Sequence, residues 1–331
     1  MKIRLISFTD RGQALAEALA GALPGEAVRC SRPVSLDQWT QRAFSEAEAL
    51  VFVGAAGIAV RAIAPYLKNK AEDPAVVVVD ETGRYAVPVL SGHLGGANSL
   101  AMRIAALCGA EPVITTATDR NGVFAVDEWA RVQGCAVRDP DRIKAVSARL
   151  LSGGEIRIRS DWPVHGTPPR GVRLTHGEDC DVLVTVRTTD RDVLRVVPRI
   201  VAVGVGCRQG TPEHAIEAAY QALLEKGGLD EKAVSMVCTI DRKAEEPGLL
   251  EFCAARGLPL NTYPAQTLRA VEGSFSASAF VEKVTGVDNV CERSAVLGCG
   301  GALFLKKEAG GGVTMAAAMA PADLDWRPYD G

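Results

Sequence analysis

Short, wholly apolar runs that stop at a glycine or a turn, then give way to helical spacing, constrain this chain more than any other feature. Residues 50–53 (LVFV) break at Gly54 and continue with apolar residues at Ile58, Val60 and Ile63 as far as Pro65. Residues 75–80 are mostly valine, and Glu81-Thr82-Gly83-Arg84 predicts a hairpin turn returning through residues 85–90. Residues 2–8 read as a first strand, 14–22 as a helix, 96–107 as another helix and 113–115 as a short strand. Such a β-α-β order with a hairpin inserted fits an open sheet covered by helices.

The alternation returns after Pro198-Arg199. Residues 200–205 read as a buried strand, 204–210 as a glycine turn and 211–224 as a helix capped by Thr211 with proline at its first position. Segments 236–240, 247–256, 258–261, 277–284 and 302–306 continue the strand and helix pattern. Between the two halves the texture changes to short helices at 123–133 and 141–151, strands at 155–159, 181–186 and 193–197, and a Pro/Gly-rich loop at 162–171. The expected fold is α/β: two open-sheet α/β domains, 1–122 and 198–331, joined by a small α+β middle module, 123–197. At 331 residues more than one domain is needed.

Charge and cysteine usage narrow the function. A net charge of −3 with no basic run argues against nucleic acid as a partner, so any anion must be held by placed groups. Nine cysteines without a C-x-x-C pair point to a reduced, cytoplasmic chain without a metal site of its own. The N-terminus reaches an acidic residue too soon for a signal peptide, and the apolar run 49–60 is too short to span a bilayer, so no membrane partner is expected. A homodimer is left open.

Chemistry is concentrated in Ser91-Gly92-His93-Leu94-Gly95-Gly96-Ala97-Asn98, where a strand runs through glycines and a titratable ring into a helix. The plain alternative is a turn that uses glycine for geometry and His93 as a satisfied polar residue. A second polar string, Thr115-Thr116-Ala117-Thr118-Asp119-Arg120-Asn121-Gly122, is expected at the same sheet edge as His93 and as Gly54-Ala55-Ala56-Gly57, beyond the carboxyl ends of the strands. There Asp119 orients His93 or binds a polar group, or simply caps the following helix. In the second half, Gly204-Val205-Gly206-Cys207-Arg208-Gln209-Gly210 misses the dinucleotide fingerprint by one residue and lacks a phosphate-loop lysine, which weakens a nicotinamide-dependent reductase. An anion-binding turn with Arg208 as its cation stays open, beside Glu246 and the hydroxyls of Ser274 and Ser276.

Six segments, VPVLSGHLGGAN, PVITTATDRNG, GVGCRQGT, TIDRKAEEPGLLEFC, SFSAS and a final glycine-rich strand, occur in an order that resembles the cobalt-precorrin-5A hydrolase family of anaerobic cobalamin synthesis. The match covers both terminal domains, with the middle module matching loosely. The resemblance implies a cobalt tetrapyrrole substrate whose δ-lactone is opened with release of acetaldehyde, giving cobalt-precorrin-5B. The cobalt then belongs to the substrate and no cofactor is needed. Lactone opening is acyl transfer to water and requires a base near neutrality, donors for the oxyanion and a route for releasing the alkoxide, with His93 expected to activate water or move the proton. His93, with Ser91 and Asp119, is expected to carry the catalysis, and the N–H groups of Gly95 and Gly96 to hold the oxyanion. Gly54, Gly57, Arg61, Asn98, Thr115, Thr116, Gly206, Arg208, Glu246, Ser274 and Ser276 are expected to bind the substrate, clamped between the terminal domains. A non-catalytic corrinoid carrier would share the glycine loops and anion sites and need no base.

Overall fold

The computed structural model describes residues 1–69 and 72–327, so the last four residues assigned to the C-terminal domain lie outside it. Three sheets carry the architecture. The first is six-stranded, in the order Gly25–Arg29, Ile3–Ser7, Ala49–Val53, Ala75–Val79, Tyr85–Leu90, Glu111–Pro112. Its first four strands are parallel, Tyr85–Leu90 runs antiparallel to Ala75–Val79, and Glu111–Pro112 follows Tyr85–Leu90 in parallel.

Alternation along the central strands sorts side chains to two faces. Ile3, Leu5, Val51, Val53, Val77 and Val79 pack under helices Asp10–Ala22 and Ala97–Cys108 through Ala16, Leu19, Leu100 and Ile104. Ile6, Leu50, Phe52, Val76 and Val78 meet helices Leu36–Glu46 and Ala56–Ile63 through Ala43, Ala59 and Ile63. Both faces are covered, which explains why these strands read as continuous apolar runs. The edge strand Gly25–Arg29 and helix Leu36–Glu46 escape sequence reading because each buries little, the helix only Thr40 and Ala43.

The strand expected at 113–115 is instead the two-residue Glu111–Pro112. Val113 N–H reaches the Ala86 carbonyl, and in a parallel ladder the next bond would come from residue 88. Pro88 has no N–H, so pairing stops there.

The middle sheet runs Val172–Leu174, Ile156–Ser160, Val182–Val184, Leu194–Pro198, Cys135–Val137, all parallel except the last pair. Its core holds Phe124, Trp129, Ile156, Val182 and Val196, and it recruits Leu324 and Trp326 from far along the chain. Trp326 stacks on Trp129 at 5.5 Å between ring centroids, the Trp129 indole N–H donates to the Asp325 carbonyl at 2.7 Å, and Leu324–Asp325 pairs with Val164–His165. A segment expected with the C-terminal unit thus completes the middle core.

The third sheet runs Leu260–Tyr263, Val234–Ile240, Val201–Cys207, Val313–Met319, Ala302–Gly310, parallel across its first three strands and antiparallel across its last three. Helices Glu213–Gly227 and Pro247–Arg256 cover one face through Ile216, Tyr220, Leu249 and Phe252. Helix Cys291–Cys299, not foreseen from sequence, lies against the strands Val201–Cys207 and Val234–Ile240. Two expectations are corrected here. Gly204 and Gly206 are strand residues paired with Ala316 and Thr314, not the start of a turn. Thr211 does not cap the following helix: its hydroxyl donates to the Arg208 carbonyl and Pro212 takes the cap position. Among the described residues no helix is long and apolar enough to cross a membrane.

Gly204 has a packing reason to be glycine, since a Cβ there would overlap the Cys291 carbonyl oxygen, which is backbone and cannot rotate aside. Gly204→Ala is expected to lower unfolding stability by about 1–3 kcal/mol, the usual scale of overpacking. Gly21→Ala, with nothing within 4 Å of the new methyl group, should be neutral or stabilising by up to about 1 kcal/mol in denaturant titrations. Equal midpoints for the two variants would refute the packing account.

Candidate active site

The hairpin decides where the His93 loop sits. Because Tyr85–Leu90 runs against Ala75–Val79, with Leu90 opposite Val76 and Ala86 opposite Val79, its carboxyl end lies at the amino ends of the parallel strands. The Ser91 hydroxyl accordingly donates to the carbonyl of Asp73, just before Ala75–Val79, at 2.9 Å. Gly54, Gly57 and Arg61 follow strand Ala49–Val53 and occupy the opposite edge, about 16 Å away for five residues at roughly 3.3 Å each. The expectation that they share a pocket with His93 is therefore overturned. Arg61 is exposed and its guanidinium donates to the Gly57 carbonyl at 3.2 Å.

Residues 91–98 form a self-bonded turn. Gly96 N–H donates to the His93 carbonyl at 2.9 Å, Ala97 N–H to Ser91 at 3.1 Å and Asn98 N–H to Gly92 at 3.0 Å. Gly96 sits at φ +82°, a left-handed conformation that glycine adopts without strain. The amide of Gly96, expected to hold an oxyanion, is thus already engaged, as are the first two amides of helix Ala97–Cys108. Ser91 also has a structural task, its hydroxyl committed to Asp73 and its carbonyl to Ala97.

Three elements converge on the imidazole. From the short helix Ala117–Arg120, Asp119 Oδ2 lies 2.7 Å from His93 Nε2, and the Thr118 hydroxyl 3.4 Å from the same nitrogen. Asn98 Nδ2 donates to Asp119 Oδ2 at 3.1 Å and to Thr116 Oγ1 at 3.0 Å, while the Thr116 hydroxyl donates to Asp119 Oδ2. From helix Val126–Val132 of the middle module, Asp127 Oδ2 stands 3.3 Å from His93 Nδ1. The His93 and Asp127 side chains are largely buried, at 13% and 11% exposure, whereas Asp119 is open at 38%.

Burial alone would push the imidazole pKa down. The two carboxylates, Asp127 more than Asp119, outweigh it and lift the pKa from 6.5 to about 9. His93 is therefore an imidazolium at neutral pH, with one carboxylate behind it and one exposed carboxylate in front. That replaces the expectation of a free base near neutrality with a cation able to donate a proton.

Sequence reasoning brought His93, Asn98, Thr116 and Asp119 together, and the structure places them within hydrogen-bonding reach. It missed Asp127, because an acid in the first turn of a helix reads as an ordinary dipole partner. Thr115 is exposed beside the group.

In the C-terminal unit the expected contacts are turned inward. Glu246 accepts from Gly210 N–H at 2.6 Å and from Lys243 Nζ at 2.6 Å, so the turn expected to hold an anion is filled by the protein's own carboxylate. Burial raises the Glu246 pKa, but Lys243 and the Gly210 amide overcome this and leave it lowered. Ser276 donates through its amide and hydroxyl to buried Glu292 at 2.7 and 2.9 Å. The Gly206 carbonyl accepts from Thr314 at 3.1 Å. Arg208 and Ser274 remain exposed.

Comparison with known proteins gives three family profiles in order: "Cobalamin synthesis G N-terminal" over residues 38–119, "Cobalamin biosynthesis central region" over 124–198 and "Cobalamin synthesis G C-terminus" over 201–318. The chain is 34% identical to the cobalt-precorrin-5A hydrolase of Salmonella typhimurium, across 96% of its own length and 97% of that protein. It is 32% identical to the enzyme of the same name from Priestia megaterium, across 85% and 80%. The middle module, whose resemblance is loose in its motifs, is thus covered as fully as its neighbours. With all three profiles in sequence and a relative matched nearly end to end, the chain belongs to the cobalt-precorrin-5A hydrolase family of cobalamin synthesis.

Proposed function

We propose that the chain hydrolyses the δ-lactone of cobalt-precorrin-5A, releases acetaldehyde to give cobalt-precorrin-5B, and does so at the His93–Asp119 pair. The names of the two relatives support the activity. One observation supports the location: a largely buried imidazolium stands 2.7 Å from an exposed carboxylate that Asn98 and Thr116 hold in place.

In this reading Asp119 takes a proton from the water that adds to the lactone carbonyl. Protonating Asp119 weakens its hold on Nε2–H, and the imidazolium donates that hydrogen bond to the oxyanion. Collapse of the tetrahedral intermediate breaks the acyl C–O bond and leaves a ring carboxylate and an alkoxide. The alkoxide becomes the carbonyl of acetaldehyde as its C–C bond to the macrocycle breaks, and the bonding pair passes to the electron-accepting ring. The cobalt enters and leaves with the substrate, and no cofactor of the protein's own is invoked. Exposed Arg208 is available to the substrate's carboxylates, whereas Glu246, Ser276 and Gly206 act by fixing their own loops through Gly210, Glu292 and Thr314.

His93→Ala should still bind substrate but release acetaldehyde more slowly by a factor of roughly 10² or more. A rate close to that of the parent protein would remove His93 from the reaction. Stoichiometric acetaldehyde from purified protein and substrate also separates an enzyme from a corrinoid carrier.

Acetaldehyde release should hold up to about pH 9 and fall above it, as the imidazolium is lost. Stability should follow the same sign. The His93 pKa is raised on folding, so its contribution is full below 6.5 and disappears as pH rises through about 9. Thermal unfolding across this range should show the loss, and it should be absent from His93→Ala.

Cys207 is a poor nucleophile, since burial raises its thiol pKa more than nearby Lys243 lowers it. Cys207→Ala is expected to change the rate by less than about twofold, and a collapse in activity would favour a thioester route.

A further inference from the structure

Asp127 takes no part in the steps above, yet its placement is unusual. Its Oδ2 faces His93 Nδ1 at 3.3 Å, while Oδ1 is buried and has no hydrogen-bond partner among the described residues. A carboxylate with one buried oxygen unsatisfied is a poor choice for stability alone, and such groups collect where function requires them. Serving the start of its own helix does not account for it, because the cap residue there is Ala125 and no side-chain cap bond forms.

The helix that carries Asp127 is itself fixed. Trp129 stacks on Trp326 and donates to Asp325, and Gln133 Nε2 donates to Asp325 Oδ1 at 2.8 Å. From the other side, Leu94 of the His93 loop packs into the middle core. The Arg131 side chain passes close to Gly96, with its charge paired to Glu128 at 2.6 Å.

The geometry points to Asp127 as a positioning residue for the reaction: reaching across from the middle module, it holds His93 by Nδ1 so that Nε2 meets Asp119, and the pair is complete only where the two modules are docked. This rests on the reading that the His93 imidazolium donates to the oxyanion while Asp119 takes the proton from water. Among the described residues, the charged and titratable groups facing the ring or its loop are Asp119, Asp127, Arg131, which Glu128 neutralises, and Asp73, whose carbonyl holds Ser91 and whose carboxylate accepts from the Lys68 amide. The N-terminal ammonium, whose Met1 side chain also approaches Gly96, pairs with Glu48 at 3.4 Å. Asp127 is therefore the partner whose removal should alter the ring's charge most.

The test combines histidine-labelled NMR titration with the pH profile of acetaldehyde release, in the full chain and in Asp127→Asn. His93 is assigned by the signal lost in His93→Gln. In the parent protein the His93 ring should titrate far above 6.5, and in D127N at least one pH unit lower. The alkaline limb of kcat should move down by the same amount, kcat should fall tenfold or more, and KM should change less than threefold. A purely structural role would lower the yield of folded protein and leave both titrations where they were.

If D127N leaves the ring titration and the pH profile unchanged while His93→Ala is inactive, the role of Asp127 alone is overturned. If His93→Ala releases acetaldehyde at the parent rate, the reading beneath it falls. Should D127N not fold, the parent protein still decides, because a His93 that titrates near 6.5 refutes the proposal.

Discussion

One backbone pairing governs where chemistry can occur in this molecule: the antiparallel ladder between Ala75–Val79 and Tyr85–Leu90. In an all-parallel sheet, loops with polar side chains collect beyond the carboxyl ends of the strands. The hairpin reverses the last two strands, so the loops after Leu90 and Pro112 open on the amino edge of the rest. That edge faces the middle module, and only there can a helix from the middle module reach an imidazole from the first domain. The same reversal leaves Gly54 and Arg61 on the far side.

The charge balance around His93 follows from that placement. A histidine this buried would ordinarily be neutral, since burial favours the uncharged ring. Two carboxylates from different elements reverse the outcome, and their unequal exposure divides the labour. Asp127 faces the ring from the protein interior, while Asp119 keeps one side toward solvent and is fixed by Asn98 and Thr116. The glycines of the 91–98 turn bring these groups together, and the Gly96 amide is spent on the His93 carbonyl within the turn. Gly92 lies so close to the Asn98 amide that a Cβ would come within 2.8 Å of Oδ1.

Much of the layered architecture was legible in the sequence, for a physical reason: strands covered on both faces must be apolar throughout, and Ala75–Val79 and Ala49–Val53 announce themselves. Helix Pro247–Arg256 is also plain, framed by a proline at its start and Gly257 after its end. Strand direction is not written in such runs, so the edge occupied by each loop could not be read. Nor could helix Cys291–Cys299, whose flanking glycines mimic a turn before a strand. At the site, His93 and Asp119 stood out as polar residues in glycine-rich or hydroxyl-rich strings. Asp127 did not, because its partner is contributed by another sheet and nothing local marks it.

The stacked pair of Trp129 and Trp326 has a consequence for the order in which the protein is made. Residues of the middle sheet leave the ribosome complete by Pro198, yet their core lacks Trp326 until the whole third sheet has been synthesised. At the usual pace of synthesis that interval is on the order of ten seconds. During it the helix bearing Asp127 has no Asp325 carbonyl to hold the Trp129 indole. The first domain and the third sheet can each close around residues of their own, so the junction that assembles the His93 site is the last part of the molecule to mature.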